Sequence, residues 1–263
     1  MPQRDHSAPC VLVIAGHDPC GGAGIQADIE TLVSHGCIPL TVVTALTAQN
    51  TMEFAKIEPT DPSLLARQLE LLLADFSIAA CKIGLLGSRQ QIPAICAALD
   101  RLAKTPVVVD PVLTASTGKT LVNPELGHAI LSELGPRCIM VTPNTEEAAA
   151  LFKNVSSDEY GPEFNKAGYD YALITGTHAS TPKVVNRLYH GGECVDLGEW
   201  ERLPSEYHGS GCTLSSAIAA GLAHGQEPLL AVSRAQSYTW QTLKHSVQLG
   251  RGQAHPNRNL DVL

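Results

Sequence analysis

Residues 208–213 read His-Gly-Ser-Gly-Cys-Thr and stand directly before an apolar helical stretch at 214–223. Glycines let the backbone turn so that successive N–H groups converge on one point, and a helix start adds its partial positive charge. Together they make an anion hole suited to phosphate oxygens, built here from Gly209, Ser210, Gly211 and Cys212. Cys212 sits at a helix start, where a thiol pKa of about 8.5 can fall to roughly 3.5–7.5, so a thiolate could take a proton from an attacking hydroxyl. The competing reading is a structural glycine turn with an inert buried cysteine.

Asn144-Thr145-Glu146-Glu147 opens another helix. Asn144 is a good cap, and Glu147 at the third helical position can complete a capping box. The same two side chains could instead hold water around a magnesium ion, which keeps several waters and takes few direct protein ligands. Asp110, at a nearby strand end, could support that ion or its phosphates. Two common phosphate signatures are missing. Ser116 to Thr120 resembles the end of a P-loop, but Leu113 stands where that pattern needs glycine, and the 16–24 tract is not G-x-G-x-x-G. A dinucleotide-dependent oxidoreductase is therefore weakly supported.

These residues need a frame. Continuous apolar runs at 10–15, 40–46, 79–83, 107–109, 139–141 and 171–174 predict strands covered on both faces. Helical patterns alternate with them at 24–34, 63–74, 90–102, 124–134 and 145–152. The rhythm predicts an α/β fold with a mostly parallel central sheet and helices on both faces. Runs at 185–190 and 193–197 flank Gly191-Gly192 and predict an antiparallel hairpin at one edge. Two helices, 211–223 and 228–247, follow. Segment 154–166 reads as a loop or short helix, and the tail from Arg251 as irregular. Polar or glycine-rich tracts close the strand runs: 16–24, 47–50, 82–85, 110–111, 142–144 and 175–178. Ligands in parallel sheets bind beyond the strands' carboxyl ends, so these tracts converge on one site.

Length and composition narrow the function. The 263 residues suit a single α/β domain over 1–263. A formal charge of -8 without a basic stripe disfavours nucleic acid as a partner. Apolar runs fall well short of a membrane span, and the polar first nine residues do not read as a signal peptide. The eight cysteines, at 10, 20, 37, 81, 96, 138, 194 and 212, form no CxxC pair. Most, such as Cys10, Cys81 and Cys138, lie in apolar runs and read as core cysteines of a reducing, cytoplasmic compartment, and for want of ligand spacing a zinc site is not expected.

The chain resembles the ribokinase superfamily and, within it, the hydroxymethylpyrimidine/phosphomethylpyrimidine kinases of thiamine biosynthesis. The resemblance runs from Val11 to about His245 and is carried by GHDPCGGAGIQAD (16–28), TALTAQNT (44–51), KIGL (82–85), DPVL (110–113), TPNTEE (142–147) and HGSGCTLSS (208–216). It implies a ribokinase-like fold and ATP-dependent phosphorylation of 4-amino-5-hydroxymethyl-2-methylpyrimidine and its monophosphate. It further implies magnesium as cofactor, the pyrimidine and ATP as partners, and a homodimer. Gly16, Asp28, Gln49, Leu85 and Val112 would line the pyrimidine pocket. Gly209 to Cys212 would form the anion hole, with Cys212 as base. Asp110, Thr175 and Gly176 would face ATP phosphates. Asn144, Glu147 and Asp110 would organise magnesium.

The sequence also departs from that family. Thr175-Gly176-Thr177-His178 stands where many members have Lys-Gly-Gly-His, so a hydroxyl donor replaces a point charge. Tyr207 replaces a frequent threonine, segment 152–170 is short, and the tail lacks the usual histidine-glycine pattern. The alternatives are a pyridoxal or pyridoxine kinase and a non-catalytic relative that binds a pyrimidine or nucleotide.

Overall fold

The structure, a computed structural model, describes residues 8–114, 124–177 and 181–259. The tract from Ser116 to Thr120 and His178 lie outside the described residues. The first strand shows why the apolar runs are continuous. In β1 (Cys10–His17), Leu12 and Ile14 point to one face of the sheet and Val11, Val13 and Ala15 to the other, and all five are fully buried.

Beside β1 lie β2 (Ile38–Gln49) and β3 (Phe54–Pro59) on one side. On the other are β4 (Ile78–Ile83), β5 (Val107–Val109), β6 (Met140–Val141), β7 (Tyr171–Ile174), β8 (Lys183–His190) and β9 (Glu193–Glu201). They form a nine-stranded sheet in the order β3-β2-β1-β4-β5-β6-β7-β8-β9. The strands from β2 through β7 in that order run parallel, while β3, β8 and β9 each run antiparallel to the preceding neighbour. The predicted hairpin is present, and Gly191 and Gly192 both take positive φ at its turn. β3 was not anticipated, because FAKIEP is short, charged and ends in proline, the composition of an edge strand.

Helices cover both faces. α1 (Gly24–Ser34), α7 (Ser210–Ala223) and α8 (Pro228–Lys244) pack on Val11, Val13 and Ala15. α2 (Pro62–Asp75), α3 (Ile92–Arg101), α4 (Pro124–Ala129), α5 (Thr145–Leu151) and α6 (Tyr160–Lys166) pack on the Leu12 and Ile14 face. α6 is the short helix within 154–166, and α4 runs on into a π-helical turn over Ile130–Leu134. The crossover after β1 uses α1 on one face, and the crossover into β4 uses α2 on the other. The strand order therefore reverses direction at β1, where open α/β sheets form their ligand crevice. The tail carries no regular element, yet it is fixed. Ala254 pairs with Tyr207, and His255 pairs with Val247.

Gln91 locks the rim of this crevice. It is fully buried, donates from Nε2 to Thr44 O at 2.7 Å and Thr60 O at 3.0 Å, and accepts from Gly87 N at 3.0 Å. Gln91→Leu removes these partners together while keeping the volume apolar. Unsatisfied buried groups cost about 1–3 kcal/mol each. Urea denaturation is expected to show a loss of at least about 2 kcal/mol, and an unchanged midpoint would mean that water takes over all three bonds.

Candidate active site

α7 begins where the sequence placed it. Gly209 caps the helix in the left-handed region, φ 86°, and a Cβ there would collide with the Gly22 carbonyl oxygen. Only glycine fits, so the 208–213 turn is locked against the glycine loop after β1. Gly211 is exposed, and a Cβ on it would lie 3.7 Å from Asp110 Oδ1. The helix start thus opens to solvent directly beside the end of β5. Ser215, one turn further along, donates to Asp110 Oδ2 at 3.3 Å.

Below this opening lies a buried charge cluster. Lys82 Nζ donates to Asp28 Oδ1 at 2.8 Å, both side chains are fully buried, and Ser216 Oγ donates to the same oxygen at 2.7 Å. Burial lowers the Lys82 pKa, but the charges of Asp28, Cys212 and Asp110 overcome it and hold the ammonium above its usual range. A lone lysine inside the apolar run IAACKI was the one sequence signal of this cluster, and sequence reasoning gave it no role.

Three expectations need correction. Asp28 does not line an opening: it is fully buried on α1, with Oδ1 committed to Lys82 and Ser216 and Oδ2 buried without a hydrogen-bond partner. Gly176 does not present its amide to a phosphate. It is buried, its N–H goes to Asn186 Oδ1 at 3.1 Å, and a Cβ on it would collide with the Val185 carbonyl oxygen. Cys212 is not an acidified thiol. Burial pushes its pKa up to about 12; Lys82 and the Gly24 N–H pull it down, but Asp110 and Asp28 push it further up. The helix terminus alone does not reverse this balance.

The other candidates largely come together. Leu85 packs on Gly16, where a Cβ would lie 2.8 Å from Leu85 Cδ2, and the Leu85 carbonyl accepts from Thr44 Oγ1 at 2.5 Å. The buried Cys212 thiol lies close to the Gly24 amide, which lowers its pKa, and to Asp110, whose charge raises it. Half-buried Val112 follows Asp110 on the same loop. Gln49 ends β2, next to β1, half-buried. Thr175 pairs with Asn144 through the backbone, leaving a half-buried side chain at the end of β7.

Asn144 and Glu147 form the full capping box: Asn144 N donates to Glu147 Oε2 at 2.9 Å, and Glu147 N donates to Asn144 Oδ1 at 2.8 Å. The functional reading survives beside it. Glu147 Oε1 takes only the long 3.4 Å bond from Leu113 N. Burial and then Asp110 push Glu147 up to about 8, against the Asn144 and Leu113 amides. Asp110 is also raised, by burial and Asp28, although Lys82, Cys212 and Ser215 oppose the shift. Two buried carboxyl groups that disfavour each other's ionisation, with oxygen donors only, fit a hard divalent cation such as magnesium.

Sequence reasoning also missed Arg258. It is buried in the tail, donates to Thr213 Oγ1 at 2.9 Å and Glu30 Oε2 at 3.0 Å, and reaches the Gly22 carbonyl.

The comparisons with known proteins agree on the family and the fold. Residues 18–257 match the family described as "Phosphomethylpyrimidine kinase". A hydroxymethylpyrimidine/phosphomethylpyrimidine kinase of Rhizobium meliloti is 36% identical over 254 residues, covering 93% of this chain and 95% of the relative. The ADP complex of Bacillus subtilis pyridoxal kinase superposes with a TM-score of 0.88 at 29% identity, covering 98% of this chain and 100% of that one. A phosphomethylpyrimidine kinase of Clostridium difficile gives 0.75 at 32% identity, covering 88% and 97%.

Glu147 makes the site's charge balance measurable. Its pKa is raised on folding from 4.5 to about 8, so its contribution to stability is full below pH 4.5 and is lost as pH rises to about 8. Glu147→Gln can keep the capping box. In metal-free protein it should flatten the decline in stability across that window, measured by denaturation at a series of pH values. An identical slope in the variant would place the raised carboxyl elsewhere.

Proposed function

The chain belongs to the phosphomethylpyrimidine kinase family, and we propose that it transfers the terminal phosphoryl group of ATP to the hydroxymethyl oxygen of 4-amino-5-hydroxymethyl-2-methylpyrimidine, and to its monophosphate. The observation that carries this reading is the Gly209–Cys212 turn, which sets an exposed helix start directly beside Asp110. All nine strands lie in one sheet, which supports a single kinase domain over 1–263. The resemblance adds a cytoplasmic homodimer to the proposal.

The amides of Gly209, Ser210, Gly211 and Cys212 hold the oxygens of the transferring group, so positioning and charge stabilisation supply most of the rate. Cys212 receives the hydroxyl proton. Asp110 lies near enough to Cys212 for the two to shift each other's pKa, and its raised pKa makes it a better acceptor than an ordinary aspartate, so the proton can pass from hydroxyl through sulfur to carboxylate. Gly16, Gln49, Leu85 and Val112 frame the pyrimidine. The Thr175 hydroxyl donates to the nucleotide phosphates. Magnesium, held by Asp110 and through water by Asn144 and Glu147, would neutralise phosphate charge when bound.

Pyridoxal as substrate is the second reading, favoured by the high superposition with the Bacillus subtilis enzyme. Coupled ADP release with the pyrimidine, its monophosphate and pyridoxal offered separately tests both. The pyrimidine and its monophosphate are expected to turn over with the higher kcat/KM. Faster pyridoxal turnover would invert the assignment, and no ADP release with any of them would leave a binding protein. In the same assay Cys212→Ala should lower kcat at least ~10²-fold with KM nearly unchanged, and full activity would reject the proton path. Gln49→Ala should raise the pyrimidine KM and leave that for ATP; the reverse pattern would move Gln49 to the nucleotide side.

A further inference from the structure

A second cluster of reactive side chains lies in the loop between β1 and α1 and has no part in the proton path. Asp18 is 3% exposed. Its carboxylate accepts from Cys20 N and Cys20 Sγ, each at 3.0 Å, and from Ala23 N at 2.9 Å, and it meets His208 Nε2 at 2.8 Å. One ligand atom from each of Asp18, Cys20 and His208 lies within 4.8 Å of the others.

A fourth side chain arrives from the tail. His255 is 6% exposed, and its Nε2 is buried without a hydrogen-bond partner. It approaches the cluster across Gly22, where a Cβ would lie 2.8 Å from His255 Nε2 and would collide with His208 Cδ2, while its Nε2 stands outside the 4.8 Å set of the other three. The two imidazole centroids are 6.0 Å apart. A buried ring nitrogen left unpaired is destabilising, so it calls for a ligand.

We propose that Asp18, Cys20 and His208 hold a zinc-type divalent cation and that His255, by a small side-chain shift, closes on it as the fourth ligand. One thiolate, two imidazoles and one carboxylate are the donors such an ion takes in tetrahedral structural sites. Magnesium, which wants six oxygens, would not compete there. Binding breaks the S–H bond of Cys20 and forms a metal–sulfur bond, and the proton leaves to solvent. The Nε2 of His208, now shared with Asp18, gives its lone pair to the metal while the ring stays neutral with its hydrogen on Nδ1. Burial and then the Asp18 hydrogen bond raise the free Cys20 thiol to about 11. Only a bound cation makes the thiolate there. Positions 18, 20, 208 and 255 are too scattered for sequence spacing to reveal such a site. The ion would tie the glycine loop, the entry to α7 and the tail together.

The test is a titration of EDTA-stripped, full-length protein with Co²⁺. A single tightly bound cobalt ion is expected, with a thiolate-to-cobalt charge-transfer band and intense tetrahedral visible bands, all displaced by Zn²⁺. Cys20→Ser should abolish the charge-transfer band. His255→Gln should weaken binding by at least the roughly 10–100-fold that loss of even an outer-shell partner causes. Cys194→Ser, at an exposed cysteine, should change nothing. Absence of the band, or its survival in Cys20→Ser, overturns the proposal. Should Cys20→Ser not fold, maleimide labelling of Cys20 in the unmodified protein decides, read by peptide mass. Zn²⁺ is expected to slow it at least tenfold, and unchanged labelling would show that the cluster is a hydrogen-bond network only.

Discussion

The ion pair of Lys82 with Asp28 is the constraint on which the site is built. Both groups are fully buried, so neither can turn to water if the other is displaced. Removing one member of such a pair typically costs about 3–5 kcal/mol, because the survivor is left charged in a poorly polarisable interior. Lys82 comes from β4, Asp28 from α1, and Ser216 from α7. Asp110, at the end of β5, and Cys212 feel the same ammonium. Strands from the middle of the sheet and helices from one face are therefore held in a single register by one cation. That register sets how far Cys212 stands from Asp110.

The same cation explains how an acidic protein can handle anions. With a formal charge of -8, the chain has no broad positive field to attract phosphate. The positive potential is local. Lys82 supplies it from below, and the amides at the start of α7 supply it from the open side. The carboxyl groups of Asp110 and Glu147, already unfavourable to each other, are relieved when positive charge enters between them.

Much of the frame was legible in the sequence. The runs at 107–109 and 171–174 became strands over the same residues, and 24–34 became α1, because apolar period and length left no other element possible. The Gly-x-Gly-Cys turn was legible for a similar reason: only glycine satisfies the backbone that packs there. Long-range polar contacts were not legible. Asp28 looked like a pocket residue, since nothing in GIQAD says that a lysine 54 positions later will bury it. Gly176 looked like a phosphate contact, since its amide partner lies on the next strand. The acidity expected of Cys212 followed from a helix start alone, whereas the outcome depended on burial and on two carboxylates from other elements. β3 and the packed tail were hidden by polar composition that also suits loops.

Arg258 gives the order of assembly a meaning. It clasps the Gly22 carbonyl and Thr213, so the loop that frames the anion hole is secured by residues synthesised after every strand of the sheet. The strands can therefore pair before this clasp closes, and the frame of the anion hole is set late in folding.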